Sequence, residues 1–443
     1  MWLFGPLHGQ PGAGAAHHAP AADGQSRSGA HMWGMSDEQA DILVVGGGLN
    51  GLTLALALAQ AGLGVTVIDA LARESRAAPG FDGRAYALAL ASVRMLRQLG
   101  LWELLEAQAQ PILEVKACDG RPGAPPSPLF LHLDHAEIEE GPLGHMVEDR
   151  HLRGALLEAI DAQDGVRHLS GERVSAQAPD GGGVTLTLES GQRLRGRLLV
   201  GCDGRESGTA RRAGLRRVRW SYGQTALVCA IGHERAHEGI AHQLFMPEGP
   251  LAILPLRGAR SAIVWSVSDT AARAALALDN DAFIAHLAER IGDFLGEIRL
   301  EGGRYSYPLS LSLAHSLIAE RLALVGDAAH GLHPIAGQGL NLGLRDVAAL
   351  AEVVVLAARR GEDIGSAGVL ERYQHWRRFD ATALALATDG FNRLFSNDSS
   401  VLRGLRDLGM GVVSRSPALR RGFMREAAGL TGDVPRLLRG RAL

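Results

Sequence analysis

From Ile42 to Ile68 the chain carries no charged residue, a run long enough to cross a bilayer. Glycines at 46, 47, 48, 51, 62 and 64 interrupt it and decide how it folds. They divide it into a strand over 41–46, a helix over 51–61 and a second strand over 64–69, the βαβ pattern. A parallel strand covered on both faces is apolar throughout, which accounts for the missing charge without a membrane. The first turn reads Gly46-Gly47-Gly48-Leu49-Asn50-Gly51, a G-x-G-x-x-G string. In such a turn Gly46 permits the tight bend, Gly48 lets the backbone approach a pyrophosphate, and Gly51 brings the helix against the strand. Asp69 closes the second strand, where an acid accepts hydrogen bonds from ribose hydroxyls. The stretch therefore predicts a dinucleotide site.

With 443 residues, 46% of them apolar and 21% charged, the chain suits two domains or one large fold with an inserted sheet. A net charge of −3 offers no nucleic-acid footprint. Cys118, Cys202 and Cys229 form no C-x-x-C pair and no disulfide framework, in keeping with a reducing compartment. His17-His18, His330 and His333 lack partners at ligand spacing, so no metal site is expected. Residues 1–34 are rich in Gly, Ala, His and Pro without periodicity. They are expected to be an unstructured extension ahead of a natural start at Met35, with no secretory signal.

Beyond the βαβ unit, residues 84–109 are predicted helical, with Leu88, Val93, Leu96 and Leu99 on one face. Residues 110–146 carry Pro122, Pro125, Pro126 and Pro128 and are expected to form loops and short strands. A helix is expected over 151–163 and a β-meander over 171–201, with Asp180-Gly181-Gly182-Gly183 as a hairpin turn. From Tyr222 to Tyr307, runs at 226–231, 243–246, 252–255 and 261–267 predict a separate antiparallel sheet with one helix near 280–295. The chain after residue 344 is predicted mostly helical.

Two further turns follow apolar strands. One is Cys202-Asp203-Gly204-Arg205-Glu206-Ser207, which alone reads as an Asp-Gly turn. The other opens at Gly326-Asp327 after Leu322–Val325. It passes Pro334 and three glycines (Gly337, Gly339, Gly343) into an apolar helix. Glycines there let backbone N–H groups approach a ligand, and a helix start presents unpaired N–H groups with partial positive charge. Asp327 suits a polyol hydroxyl, and the helix end suits an electron-rich ring. Only one G-x-G-x-x-G is present, so a second nucleotide would visit transiently.

These motifs, in this order, resemble the ubiquinone-biosynthesis hydroxylases, the UbiH/UbiF/VisC-like group of class A FAD monooxygenases. The likeness rests on Gly46–Gly51 with Asp69, on Phe81-Asp82-Gly83-Arg84-Ala85-Tyr86-Ala87-Leu88 running to Ser92, on Asp203-Gly204 with Ser207, and on Gly326–Gly343. It spans roughly 41–397. The resemblance implies an α/β fold: a Rossmann-type FAD-binding domain with an inserted antiparallel-sheet substrate domain and a helical C-terminus. The segments expected are an extension over 1–38 and FAD-binding parts over 39–110, 149–221 and 308–360. The rest would be an insert over 111–148, the substrate sheet over 222–307 and a helical region over 361–443.

It further implies FAD held by Gly46, Gly48, Gly51, Asp69, Arg84, Asp203, Gly326, Asp327, Gly337, Gly339, Leu340 and Asn341, with NADH or NADPH as transient co-substrate. The activity implied is hydroxylation of a polyprenylated phenol with O₂. The flavin carries the redox chemistry, while the protein positions the ring and keeps water away. Gly337, Gln338 and Gly339 would supply backbone donors to reduced flavin, and Pro334 would wall its reactive face. No general base is assigned. Gly331, where many relatives carry Thr, departs from the pattern. Alternatives are a hydroxylase or epoxidase for another small aromatic or lipid, or an idle FAD-binding scaffold of a quinone-synthesis complex. Residues 400–443 are rich in Arg interleaved with Leu, Val, Met and Phe. Such a stretch suits peripheral contact with an inner membrane, or a complex with related enzymes, for a protein otherwise cytoplasmic.

Overall fold

A computed structural model describes residues 38–121, 123, 130–331, 337–395, 411 and 413–443. The expected βαβ unit is present. Strand Glu38–Val45 leads into helix Leu49–Gln60 and then strand Val65–Asp69. The two strands pair in parallel, Ile42 opposite Val65 and Val45 opposite Ile68. On its other side Glu38–Val45 runs parallel to Arg193–Gly201, which in turn pairs in parallel with Leu322–Leu324. Val45 stands opposite Gly201, and Gly201 opposite Leu324. The carboxyl ends of three strands far apart in the chain therefore meet at one edge. The turns that follow them, at 46–51, 202–207 and 326–331, are neighbours for that reason. In open α/β sheets this edge is where ligands bind.

Ile42, Leu43, Val44, Leu54, Leu58 and Leu198 are fully buried, and they pack in one core with Val347, Leu350 and Val354 of helix Gly339–Arg359. The uncharged run of the sequence is thus the centre of a covered parallel sheet. Two expectations need correcting. Residues 85–89 are not helical. Ala85–Ala89 is a strand, antiparallel to Gly144–Glu148 in a three-stranded sheet completed by Gln110–Ile112. The helix begins at Leu90 and ends at Gln98. Pairing with a strand nearly sixty residues away overrides the local periodicity.

The second correction concerns the large antiparallel sheet, which is wider than 222–307. Its two longest strands, Arg217–His233 and Ile298–Ala314, begin or end outside those bounds, and it recruits Glu114–Asp119 and Phe130–Asp134. Ile240–Met246 joins Glu114–Asp119 in parallel, a pairing that no local pattern announces. One face of this sheet carries Leu227, Cys229, Ile253, Ile263, Trp265 and Val267 against helices Asp269–Ala277 and Asn280–Ile291. The other face carries smaller side chains: Ala226, Val228, Ala241, Ala252, Ala262 and Val264.

Candidate active site

A cavity of about 1430 Å³ lies between the strand edge and the small-residue face of the large sheet. It exceeds the ~300–1,000 Å³ usual for one ligand, so it has room for a dinucleotide and a second molecule. Gly46, Gly48, Asp69, Arg84, Asp203, Asp327, Gly337, Gln338, Gly339 and Leu340 all line it. The structure thus brings together residues that the sequence spreads over almost three hundred positions. Pro334 and His333, with the rest of 332–336, lie outside the described residues, as do 1–34.

The first turn is a steric device. Gly46 has φ +110°, and a Cβ there would overlap the Cys202 backbone. A Cβ on Gly51 would overlap the Gly46 carbonyl. Gly48 faces open space, with nothing within 4 Å of the position a Cβ would take. Gly47, an arbitrary position in the motif, makes room for Asp69, whose Oδ2 would lie 2.5 Å from a Cβ. Asp69 is buried and accepts hydrogen bonds from Arg76 Nε (2.7 Å) and Nη2 (2.9 Å), and from the Leu71 N–H (3.1 Å). Burial alone would raise its carboxyl; the Arg76 guanidinium more than offsets that and holds it below the usual range. Asp69 therefore stays ionised, as a ribose acceptor must be, and Arg76 beside it was not foreseen.

Asp203 uses its carboxylate locally. It accepts from Ser207 Oγ and from the Thr209 N–H and Oγ1, both at 2.9 Å, so it shapes the start of helix Gly208–Arg212. The loop, more than the carboxylate, faces the cavity. Arg84 lies between Asp82 (2.5 Å) and Asp149 (2.8 Å), and Arg153 shares Asp149 at 2.6 Å. Tyr86, beside Asp149 and lining the cavity, has its phenol raised by burial and then by that carboxylate, so it remains protonated.

The second turn is held by charge. Asp327 receives Arg205 Nε at 3.0 Å on its carboxylate and Arg217 Nη2 at 2.9 Å on its carbonyl. Behind it, Asp346 is fully buried. It accepts from the Gly326 N–H (3.0 Å), His330 Nε2 (2.6 Å) and Arg377 Nε (2.7 Å). Burial would raise the Asp346 carboxyl; His330 and Arg377 outweigh it and keep the group below the usual carboxylate range. His330 is thus a buried hydrogen-bond partner of Asp346 in the fold. Asn50 plugs the space between the two turns, since a Cβ on Gly326 or Gly343 would collide with its amide. Its Oδ1 is buried without a hydrogen-bond partner among the described residues.

Gly51, Gly326 and Asn341 sit behind the cavity wall. The Asn341 side chain, expected at the cofactor, instead accepts from the Ala89 N–H (2.9 Å) and Ser92 Oγ (2.8 Å) and donates to the Ala87 carbonyl (2.8 Å). It clamps strand Ala85–Ala89 to helix Gly339–Arg359. That helix starts at the cavity, with Gln338 as its N-cap and its first N–H groups free of intrahelical partners. Asn50, Arg76, Asp149, Arg205 and Asp346 escaped the sequence reading. Each is a lone polar residue whose meaning depends on what packs beside it.

These features fit a flavin dinucleotide. An open backbone cradle at Gly48, an ionised buried Asp69, an unpartnered Asn50 Oδ1 and a free helix N-terminus are matched to pyrophosphate, ribose, a ligand donor and an electron-rich ring. Comparison with known proteins agrees. The FAD binding domain family matches residues 39–388. The chain is 47% identical to ubiquinone hydroxylase UbiL of Rhodospirillum rubrum, covering 96% of this chain and 97% of that one. It is 34% identical to the 3-demethoxyubiquinol 3-hydroxylase of Escherichia coli, covering 89% and 100%. In fold it is similar to p-nitrophenol 4-monooxygenase PnpA of Pseudomonas putida, with a TM-score of 0.74 at 19% identity, covering 89% and 99%. The chain is an FAD-dependent monooxygenase and belongs to the ubiquinone hydroxylase family. FAD is its cofactor, with NADH or NADPH as the reductant typical of that family.

Proposed function

We propose that this enzyme hydroxylates the aromatic ring of a polyprenylated phenol on the route to ubiquinone, using O₂ and NADH or NADPH. The observation that carries the reading is the second half of the cavity. Beyond Gly337–Leu340 its walls are Ile112, Val115, Ala117, Leu133, Ala226 and Leu254, with few charged groups. Such a chamber suits an apolar phenol and excludes water from the reacting face. The names of the relatives point to the same chemistry.

In this reading Gly46 and Gly48 admit the FAD pyrophosphate, Asp69 accepts from ribose, and Asp327 accepts from the ribityl chain. Arg84 supplies fixed positive charge nearby. The backbone N–H groups at Gly337, Gln338 and Gly339 stabilise negative charge on the reduced ring, whose chemistry is to activate O₂ for transfer to the phenol. Gly51, Gly326 and Asn341 act as supports.

The test is turnover by purified holoenzyme. Consumption of NADH or NADPH should rise on adding a prenylated phenol, and the product should be heavier by one oxygen. Flavin that stays oxidised with every phenol tried would instead favour a binding scaffold. Peripheral contact with the cytoplasmic face of the inner membrane belongs to the same proposal, supported by the Arg-rich stretch 400–443. No described helix is long and apolar enough to cross a membrane.

A further inference from the structure

Helix Pro417–Ala427 forms part of the chamber wall. Met424 and Ala427 line the cavity. Met424 is buried, but Ala427 is exposed as well as lining, so the cavity opens to solvent at this residue. Leu419, Phe423 and Ala427 are spaced four apart and share one side of the helix. Leu419 is 46% exposed and Phe423 49%. Two large apolar side chains thus lead along the surface to the mouth.

The helix is held in place by charge on another side. Arg420 pairs with Glu137 at 2.9 Å, and Arg425 with Glu140 at 3.3 Å. Arg94 reaches the same Glu140 at 2.6 Å. Behind the helix, the Ala91 N–H donates to the Ala428 carbonyl at 3.0 Å. Its position is therefore fixed, while its Leu419–Phe423 side is left without a covering element among the described residues. Met424, Leu143, Leu133, Val115 and Ala117, all apolar, line the same chamber.

We infer that this line of side chains is the seat of the substrate's hydrocarbon tail. The tail would leave the chamber between Met424 and Ala427 and lie along Phe423 and Leu419. The inference rests on the phenolic-lipid reading above but makes a separate claim, that the enzyme recognises chain length through this helix. A phenol bearing a single isoprene would fit wholly inside the chamber. A long-tailed one would bury Phe423 and Leu419 as well, gaining affinity from the apolar area removed from water.

Two measurements on the full-length holoenzyme test this. The first compares the wild type with the Leu419→Ser, Phe423→Ser double variant, whose changes are on the surface and leave the cavity wall intact. With a long-tailed phenol in detergent micelles KM should rise about tenfold. With the single-isoprene phenol, KM and kcat should stay within about twofold of the wild type. Equal effects on both substrates, or none on either, would overturn the tail seat. The second measurement uses a long-tailed phenol with a terminal diazirine. Photolysis should label peptide 417–427, and labelling confined to other segments would overturn the inference. Labelling here without any hydroxylation would uphold the seat and sink the proposed reaction. Hydroxylation with labelling elsewhere would do the reverse, and failure of both would remove the two together.

Discussion

The two turns that face the cofactor cavity solve one problem by opposite means. The 46–51 turn is built from absent side chains. Gly46, Gly47 and Gly51 each stand where a Cβ would strike the backbone of Cys202, the Asp69 carboxylate or the Gly46 carbonyl. The 326–331 turn is built from charge, with a fully buried Asp346 gripping the Gly326 N–H, His330 and Arg377. Asn50, wedged against Gly326 and Gly343, is where the devices meet. A steric turn tolerates nothing at its glycines and is indifferent to pH. A charged turn tolerates small changes of shape but depends on every partner being present and ionised.

The sharpest way to break this contrast lies within the first turn. Gly51→Val should abolish folding, because its side chain has nowhere to go but into the Gly46 carbonyl. Gly48→Val should fold, because the space around it is empty, yet should purify without flavin. Circular dichroism with the flavin absorbance ratio separates the two. A Gly48→Val protein with full yellow colour would contradict the cradle, and a well-folded Gly51→Val protein would contradict the steric account.

The charged turn should yield next. Asp346→Asn leaves Arg377 without its buried counter-charge and weakens the hydrogen bond from His330. Breaking a buried pair costs about 3–5 kcal/mol. Denaturant midpoints should fall accordingly, and a change under about 1 kcal/mol would show that the network is dispensable. Asp327→Ala should be milder. Its carboxylate is 41% exposed, so the fold should hardly notice. FAD retention should drop by roughly 10- to 150-fold, the worth of about 1.5–3 kcal/mol for a lost bond to a charged acceptor. Full loading after long dialysis would remove Asp327 from the site.

The smallest effect is on pH dependence. Asp346 has its carboxyl depressed below the ordinary 3.8 in the folded state. Its contribution to stability is therefore complete above about 3.8 and is lost as pH falls through the lower folded value. Gly46–Gly51 has no such limb of its own. Asp69 beside it is depressed in the same direction by Arg76, so the comparison needs the Asp346→Asn variant. That variant should lose less stability than the wild type as acid is added below pH 3.8. Parallel acid limbs in the two proteins would mean that Asp346 is not the titrating group.

Much of the first turn was legible because steric rules are local. A glycine string between two apolar strands says what it does, and the strand ends after Ile42 and Val65 fall within a residue or two of expectation. The lining glycines of the 337–340 segment were legible for the same reason. The charged turn was not. His330 carries no mark of its partner sixteen residues on, and Arg377 and Asp380 lie in a helix that reads as ordinary amphipathic sequence. Ala85–Ala89 misled, since Leu88, Val93 and Leu96 do fall at helical spacing. Only its contact with Gly144–Glu148 and the Asn341 clamp made it a strand.

Sequence alone settled the dinucleotide turn and the order of the three strand-end motifs, because backbone sterics and apolar periodicity act over a few residues; the kind of chemistry followed from the family resemblance those motifs carry. Tertiary structure alone decided which oxygens are already spoken for, as with Asp203 and Asn341, and which side chains share a buried charge. It also decided that an alanine-lined sheet and the distant helix Pro417–Ala427 enclose one chamber. Electrostatic and packing energies depend on distance in space, and a linear chain does not reveal that distance until it has folded.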